Sequence, residues 1–231
     1  MGRPRTATRE RILAAAFARF SRYGFRRTSM EDIAAEAGVS RAALYGQFGN
    51  KEEIFRALSE DLHRESLSGA DSALHSGQAL GSRLQAAVEA KSLRFVEIAY
   101  GSPHGSELLD ESNRLCGDLA LTAERRFQEL LAREFRAAAR RGEIDLGALD
   151  LSAAAAAELF TRAAAGLKGP GVTIEDYRRR LAAWVRLFIA GLRAGAARRP
   201  GGNRPADEPY AGARRPSRRR ELALQPRRSR A

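Results

Sequence analysis

From about residue 9 to residue 195 the apolar positions recur every three or four residues, the period of a helix with one buried face. No segment alternates apolar and polar residues as a half-buried strand does. Ile12, Leu13, Ala16, Phe17 and Phe20 share the face of a first helix that Gly24 stops. A second, short helix turns Met30, Ile33, Ala34 and Ala37 inward and ends at Gly38. A third runs from about Ser40 to Phe48, and a fourth starts at Lys51 and carries Ile54, Phe55, Leu58 and Leu62 into the seventies. Longer amphipathic segments follow at roughly 78–100, 106–141, 150–167 and 174–194, separated by Gly101-Ser102-Pro103, Gly142 and Gly169-Pro170-Gly171. The expected fold is all-α, a small N-terminal three-helix head followed by an antiparallel helical bundle.

From residue 197 to 231 the pattern stops. That stretch is Arg, Pro, Gly and Ser with almost no large apolar residue, too little to offset the entropy of ordering, so it is expected to be a disordered tail. The formal net charge of +12 divides unevenly: +5 in residues 1–58, −1 in 59–197 and +8 in 198–231. A basic head suits a polyanionic partner, whereas the tail either adds nonspecific phosphate contacts or is idle. One cysteine, Cys116, excludes an internal disulfide framework and a multi-cysteine zinc site. His63, His75 and His104 are scattered, no phosphate loop or nucleophile elbow occurs, and neither enzymatic activity, a metal nor a cofactor is expected. No stretch approaches the roughly 18 apolar residues of a membrane span, and the N-terminus lacks a secretory core, so a cytoplasmic protein is expected. The opening Met1-Gly2 fits a myristoylation pattern by chance.

The stretch from Thr28 to Lys51 carries the chemistry. Two short helices meet at Gly38-Val39, with small Ala34 where they cross, a glycine able to take positive φ in the turn, and Leu44 to pin the second helix. Thr28 or Ser29 caps the first of them, with Glu31 or Asp32 beyond, and Asn50 with Glu53 caps the fourth helix. The third helix is different: Ser40 caps it, but no acid occurs from Val39 to Lys51 and Arg41 stands at its first position. A cation there opposes the helix dipole, which suits a helix end that faces an external anion or an acceptor-rich base edge, and Lys51 invites the same argument.

These residues, Thr28 to Ala34, Gly38-Val39-Ser40, Ala43-Leu44-Tyr45, Phe48 and Asn50 to Phe55, with Phe17, Phe20 and Gly24-Phe25 before them, resemble the DNA-binding domain of the TetR/AcrR family of bacterial transcriptional regulators over about residues 9–58. The resemblance implies a homodimeric, ligand-responsive regulator, in the usual case a repressor released from a palindromic operator in double-stranded DNA. It implies a DNA-binding domain in residues 1–50 and a ligand-binding and dimerisation domain in residues 51–196. Ser40, Arg41, Ala42 and Ala43 fall where the family touches bases or nearby phosphates, Tyr45 where a tyrosine hydroxyl meets a phosphate, and Thr28, Ser29 and Lys51 at other backbone contacts. Gly46 and Gln47 depart from the family's usual aromatic and histidine, so a DNA contact by Gln47 would be of a different kind. Arg41 is the candidate for direct readout of guanine, with phosphate contact as the other reading. Arg3 and Arg5 either reach the minor groove or fray.

For the bundle the resemblance implies a small-molecule effector site. Phe95, Tyr100, Asn113, Cys116, Phe127, Phe160 and Trp184, on faces that mix aromatic and polar character, are its candidates, with core packing as the plainer reading. The dimer interface is expected on the last two helices, from Ala153–Ala157, Ala163–Gly166, Trp184, Leu187, Phe188 and Leu192. The alternative function is a ligand-independent architectural DNA-binding protein.

Overall fold

The computed structural model describes residues 3–169 and 171–196, the side chains of Arg3 to Thr6 and of residues 194–196 excepted. Among them every regular element is helical: α1 (Arg3–Tyr23), α2 (Met30–Ala37), α3 (Arg41–Tyr45), α4 (Lys51–Leu74), α5 (Leu80–Gly101), α6 (Gly105–Arg140), a 3-10 turn (Gly147–Leu149), α7 (Ala153–Ala165) and α8 (Ile174–Ala196). The fold is all-α, as the periodicity predicts. The tail from residue 197, with Arg214 and Arg215, and the side chains of Arg3 and Arg5 lie outside the described residues.

Local chemistry sets the ends of the short helices. Ser29, not Thr28, caps α2: its hydroxyl accepts the Asp32 N–H at 3.1 Å, while Asp32 Oδ2 accepts the Ser29 N–H at 2.9 Å. These bonds, the Ser29 backbone first, hold the Asp32 carboxyl below the usual carboxylate range. Gly38 ends α2 at φ +61, a left-handed conformation that costs other residues roughly 1–2 kcal/mol. Helix α3 is shorter than predicted because the chain tightens at Gly46. The N–H groups of Gln47 and Phe48 both reach the Leu44 carbonyl, at 2.9 and 3.0 Å, and Phe48 turns into the core.

Two apolar cores form. The first gathers Ile12, Phe20, Phe25, Ile33, Leu44 and Ile54 with Leu108 of α6; the second gathers Leu84, Leu131, Phe135, Phe160, Tyr177 and Leu181. Helices α4 and α6 each enter both. In α6 the transition coincides with a kink at Cys116, whose φ of −129° and ψ of 15° are not helical. The segment before the kink is tied to the head. The Arg26 N–H donates to Glu107 Oε1 at 2.8 Å and Arg26 Nε to the buried Glu111 at 3.3 Å, while Arg56 of α4 spans the kink, donating to the Leu115 carbonyl before it and to Asp118 after it, the latter at 2.9 Å. Gly24 suits this joint because its φ of +86 is a conformation that side chains rarely adopt, and the Glu107 carboxylate packs where a Cβ would stand.

Candidate nucleic-acid interface

Helix α3 is held by one side chain and presents the rest. Leu44 is fully buried, while Ser40, Arg41, Ala42, Ala43 and Tyr45 are exposed, Tyr45 at 46%. Two alanines at the centre of that surface leave the backbone open to close approach. Ser40 caps the helix by accepting the Ala43 N–H at 3.1 Å. The turn before it is fixed from α1: Arg11 Nη2 donates to the carbonyls of Ala37 and Gly38 at 2.6 and 2.9 Å, placing a cation at the negative end of α2.

Arg41 is not waiting on an external anion alone. Its guanidinium lies 2.5 Å from Glu31 Oε1, with both side chains well exposed. An exposed pair of this kind contributes only about 0–1 kcal/mol, so Glu31 pre-positions the guanidinium without locking it.

Four residues expected to touch DNA are engaged or partly covered within the head. Thr28 is 1% exposed and its hydroxyl donates to the Gly24 carbonyl at 2.8 Å, so it closes the α1–α2 turn instead of facing a partner. Lys51 folds back from the start of α4, its ammonium donating to the carbonyls of Phe25, Arg26 and Thr28 at 3.0, 3.3 and 3.1 Å and lying 4.6 Å from the Phe25 ring centroid. All three of its protons are used inside the head. Ser29 is committed to the capping box, and Gln47 is half-buried beside the Gly46 turn. The cation that sequence reasoning passed over is Arg27, exposed and without an ion pair or hydrogen bond among the described residues. Its adjacency to Thr28 was the available signal.

Residues 12–58 match the family described as bacterial regulatory proteins, tetR family. In its head, then, this chain resembles the tetR family. Over 56 residues it is 46% identical to the HTH-type transcriptional regulator TtgR of Pseudomonas putida, a stretch covering 24% of this chain and 27% of that protein. Over 87 residues it is 37% identical to the HTH-type transcriptional activator FasR of Mycolicibacterium smegmatis, covering 38% of this chain and 40% of that one. The chain therefore spans well under half the length of these relatives. Beyond the tetR-family head the likeness is one of fold: the structure of a SmeT–triclosan complex superposes with a TM-score of 0.60 at 24% identity, covering 87% of this chain and 100% of that one.

The residues expected to line an effector site in the bundle are not brought together. Phe127 and Phe160 are buried in the second core, and Trp184 stacks on Phe160 with ring centroids 6.2 Å apart. Cys116 is buried at the kink, where burial pushes its thiol up, and Tyr100 and Asn113 are exposed. Of the seven, Phe95 alone borders a cavity that lies between α1 and helices α4, α5 and α6. The expected dimer surface also divides. Ala156, Ala157 and Leu192 are consumed by the chain's own core, whereas Leu187 is 69% exposed on α8; Leu159 of α7, not among the residues expected there, is 52% exposed. No helix among the described residues is long and apolar enough to cross a membrane.

Proposed function

We propose that this chain is a sequence-specific DNA-binding transcriptional regulator acting in the cytoplasm as a homodimer. Residues 1–50 read DNA, residues 51–196 dimerise and sense a small molecule, and the natural mode is repression relieved by that effector. The observation that carries the reading is α3 itself, an acid-free helix pinned by Leu44 alone, with Ser40, Arg41, Ala42, Ala43 and Tyr45 exposed on a scaffold fixed by caps at Ser29, Ser40 and Asn50. Exposed cations elsewhere in the head, Arg27 among them, supply phosphate affinity and Arg41 supplies base discrimination. Dimerisation through α7 and α8, centred on Leu159 and Leu187, would set two copies of α3 about 34–36 Å apart, or a multiple of one DNA turn, on an inverted repeat. Effector binding then changes the spacing of the heads through α4, and by linkage the effector binds free protein more tightly than DNA-bound protein.

Selection of the full chain on a random duplex pool tests this. Enrichment of an inverted repeat with that half-site spacing supports the reading. Binding with no enriched sequence favours the ligand-independent architectural function, and absence of binding at low salt rejects both.

A further inference from the structure

We infer that the cavity between the head and the bundle is a binding site for an aromatic or aliphatic small molecule without negative charge, and that its occupant acts on α1. The cavity has a volume of about 340 Å³, within the range of small-ligand sites, and it opens along the edge of the first apolar core. Four rings border it: Phe17 and Phe20 from α1, Phe55 from α4 and Phe95 from α5. Behind them the walls are stiff. Phe20, Phe25 and Phe55 pack with centroids 5.2–5.8 Å apart, and Phe95 lies against His63 at 4.8 Å.

The charges at its rim argue against an anionic occupant. Asp61 is paired with Arg64 at 2.6 Å and with Arg9 at 3.5 Å, and Arg94 with Glu97 at 3.3 Å, while the remaining rim charge, Glu65, is exposed and negative. Among the described residues that line it, Arg94 is the one cation and it is already paired, so an anionic ligand would be taken out of water without a free partner, whereas Glu65 is open to a cation. The apolar walls favour an aromatic or aliphatic body.

The occupant's leverage comes from α1. Leu13, in the cavity wall, lies two residues from Arg11, whose guanidinium holds the Ala37 and Gly38 carbonyls in the turn that launches α3. A ligand that alters the packing of α1 on α4–α6 therefore acts on the recognition helix through a single rigid element. Only this coupling rests on the DNA-binding reading; the site itself does not.

Two dyes of the same ring skeleton test the site on the full chain without DNA. N-phenyl-1-naphthylamine is neutral, and 8-anilino-1-naphthalenesulfonate adds one negative charge. The neutral dye is expected to bind saturably with one site per chain, at least about tenfold more tightly than the sulfonate. Ala99→Phe and Leu62→Trp, which fill the cavity from α5 and α4, are each expected to weaken it about tenfold or more while the helical circular dichroism is retained. No saturable binding, equal affinity for the two dyes, or wild-type binding by a folded filled variant overturns the proposal. In a separate titration the saturating neutral dye is expected to change affinity for the selected duplex about fivefold or more. Saturable, cavity-dependent dye binding with unchanged DNA affinity overturns the coupling, and dye binding by a chain that binds no DNA rejects the regulatory reading while the site stands.

Discussion

Replacing Lys51 by Met retains the stem over the Phe25 ring and deletes the ammonium that bridges the Phe25, Arg26 and Thr28 carbonyls. Hydrogen bonds from a charged donor contribute about 1.5–3 kcal/mol each when buried. Here the donor is half-buried and water can reach carbonyls of the turn, so the three bonds together are expected to be worth about 2 kcal/mol. At roughly 2–4 °C per kcal/mol for a chain of this size, Lys51→Met should lower Tm by about 4–8 °C. The proper contrast is Arg27→Ala, an exposed cation without a partner among the described residues, which should change stability by no more than about 0.5 kcal/mol. On DNA the two are expected to reverse. Arg27→Ala should weaken binding to all sequences and reduce the slope of log K against log salt by about 0.9, whereas Lys51→Met, measured below its melting range, should leave that slope unchanged. Thermal melts by circular dichroism and fluorescence anisotropy at several salt concentrations give both quantities. A Lys51→Met protein with wild-type Tm and a shallower salt slope would refute the clamp and restore Lys51 as a phosphate ligand.

Leu187→Asp places a charge on the most exposed large apolar side chain of α8 and should shift the chain from dimer to monomer in sedimentation velocity, with little change in the helical signal; an unchanged dimer would move the interface elsewhere. His63, buried against Phe95, has its pKa pushed from 6.5 to about 4, first by burial and then by the Lys91 ammonium. Its folded-state pKa is depressed, so the unfolded chain takes up the proton first and stability is lost as pH falls from about 6.5 to 4. At 1.36 kcal/mol per pH unit the effect is capped at roughly 3 kcal/mol. Urea denaturation across that window should show a steeper fall for the wild type than for His63→Phe, and parallel curves would show that His63 titrates normally.

What was legible in the sequence followed from local chemistry. The inward faces of α1 and α2, the left-handed Gly38, the Ser40 cap and the breaks around Gly101 and Gly142 each depend on neighbours within one helical turn. The short α3 was legible in principle from Gly46, whose helix-breaking tendency competed with the apolar spacing of Leu44 and Phe48. What was not legible depends on long-range approach. Lys51 stands at a helix start like a phosphate ligand, and only the fold brings the Phe25–Thr28 turn under its ammonium. Phe95 carries the same aromatic signature as Phe127 and Phe160, yet it borders a cavity while they fill a core, because the two cores meet along α4 and α6 and leave a gap at α1. The pairing of Arg41 with Glu31 crosses the α2–α3 turn, at a spacing that no helical periodicity announces.

Whether α3 reads base sequence is decided by the ratio of affinities for the selected duplex and a scrambled duplex of equal length, measured for wild type and Arg41→Ala at one fixed salt concentration. The expected wild-type ratio is about 10³ or more, with the Arg41→Ala ratio reduced by the equivalent of about 1–3 kcal/mol, confined to one base position in each half-site. A wild-type ratio near one, or equal loss on both duplexes for Arg41→Ala, would contradict base readout by α3.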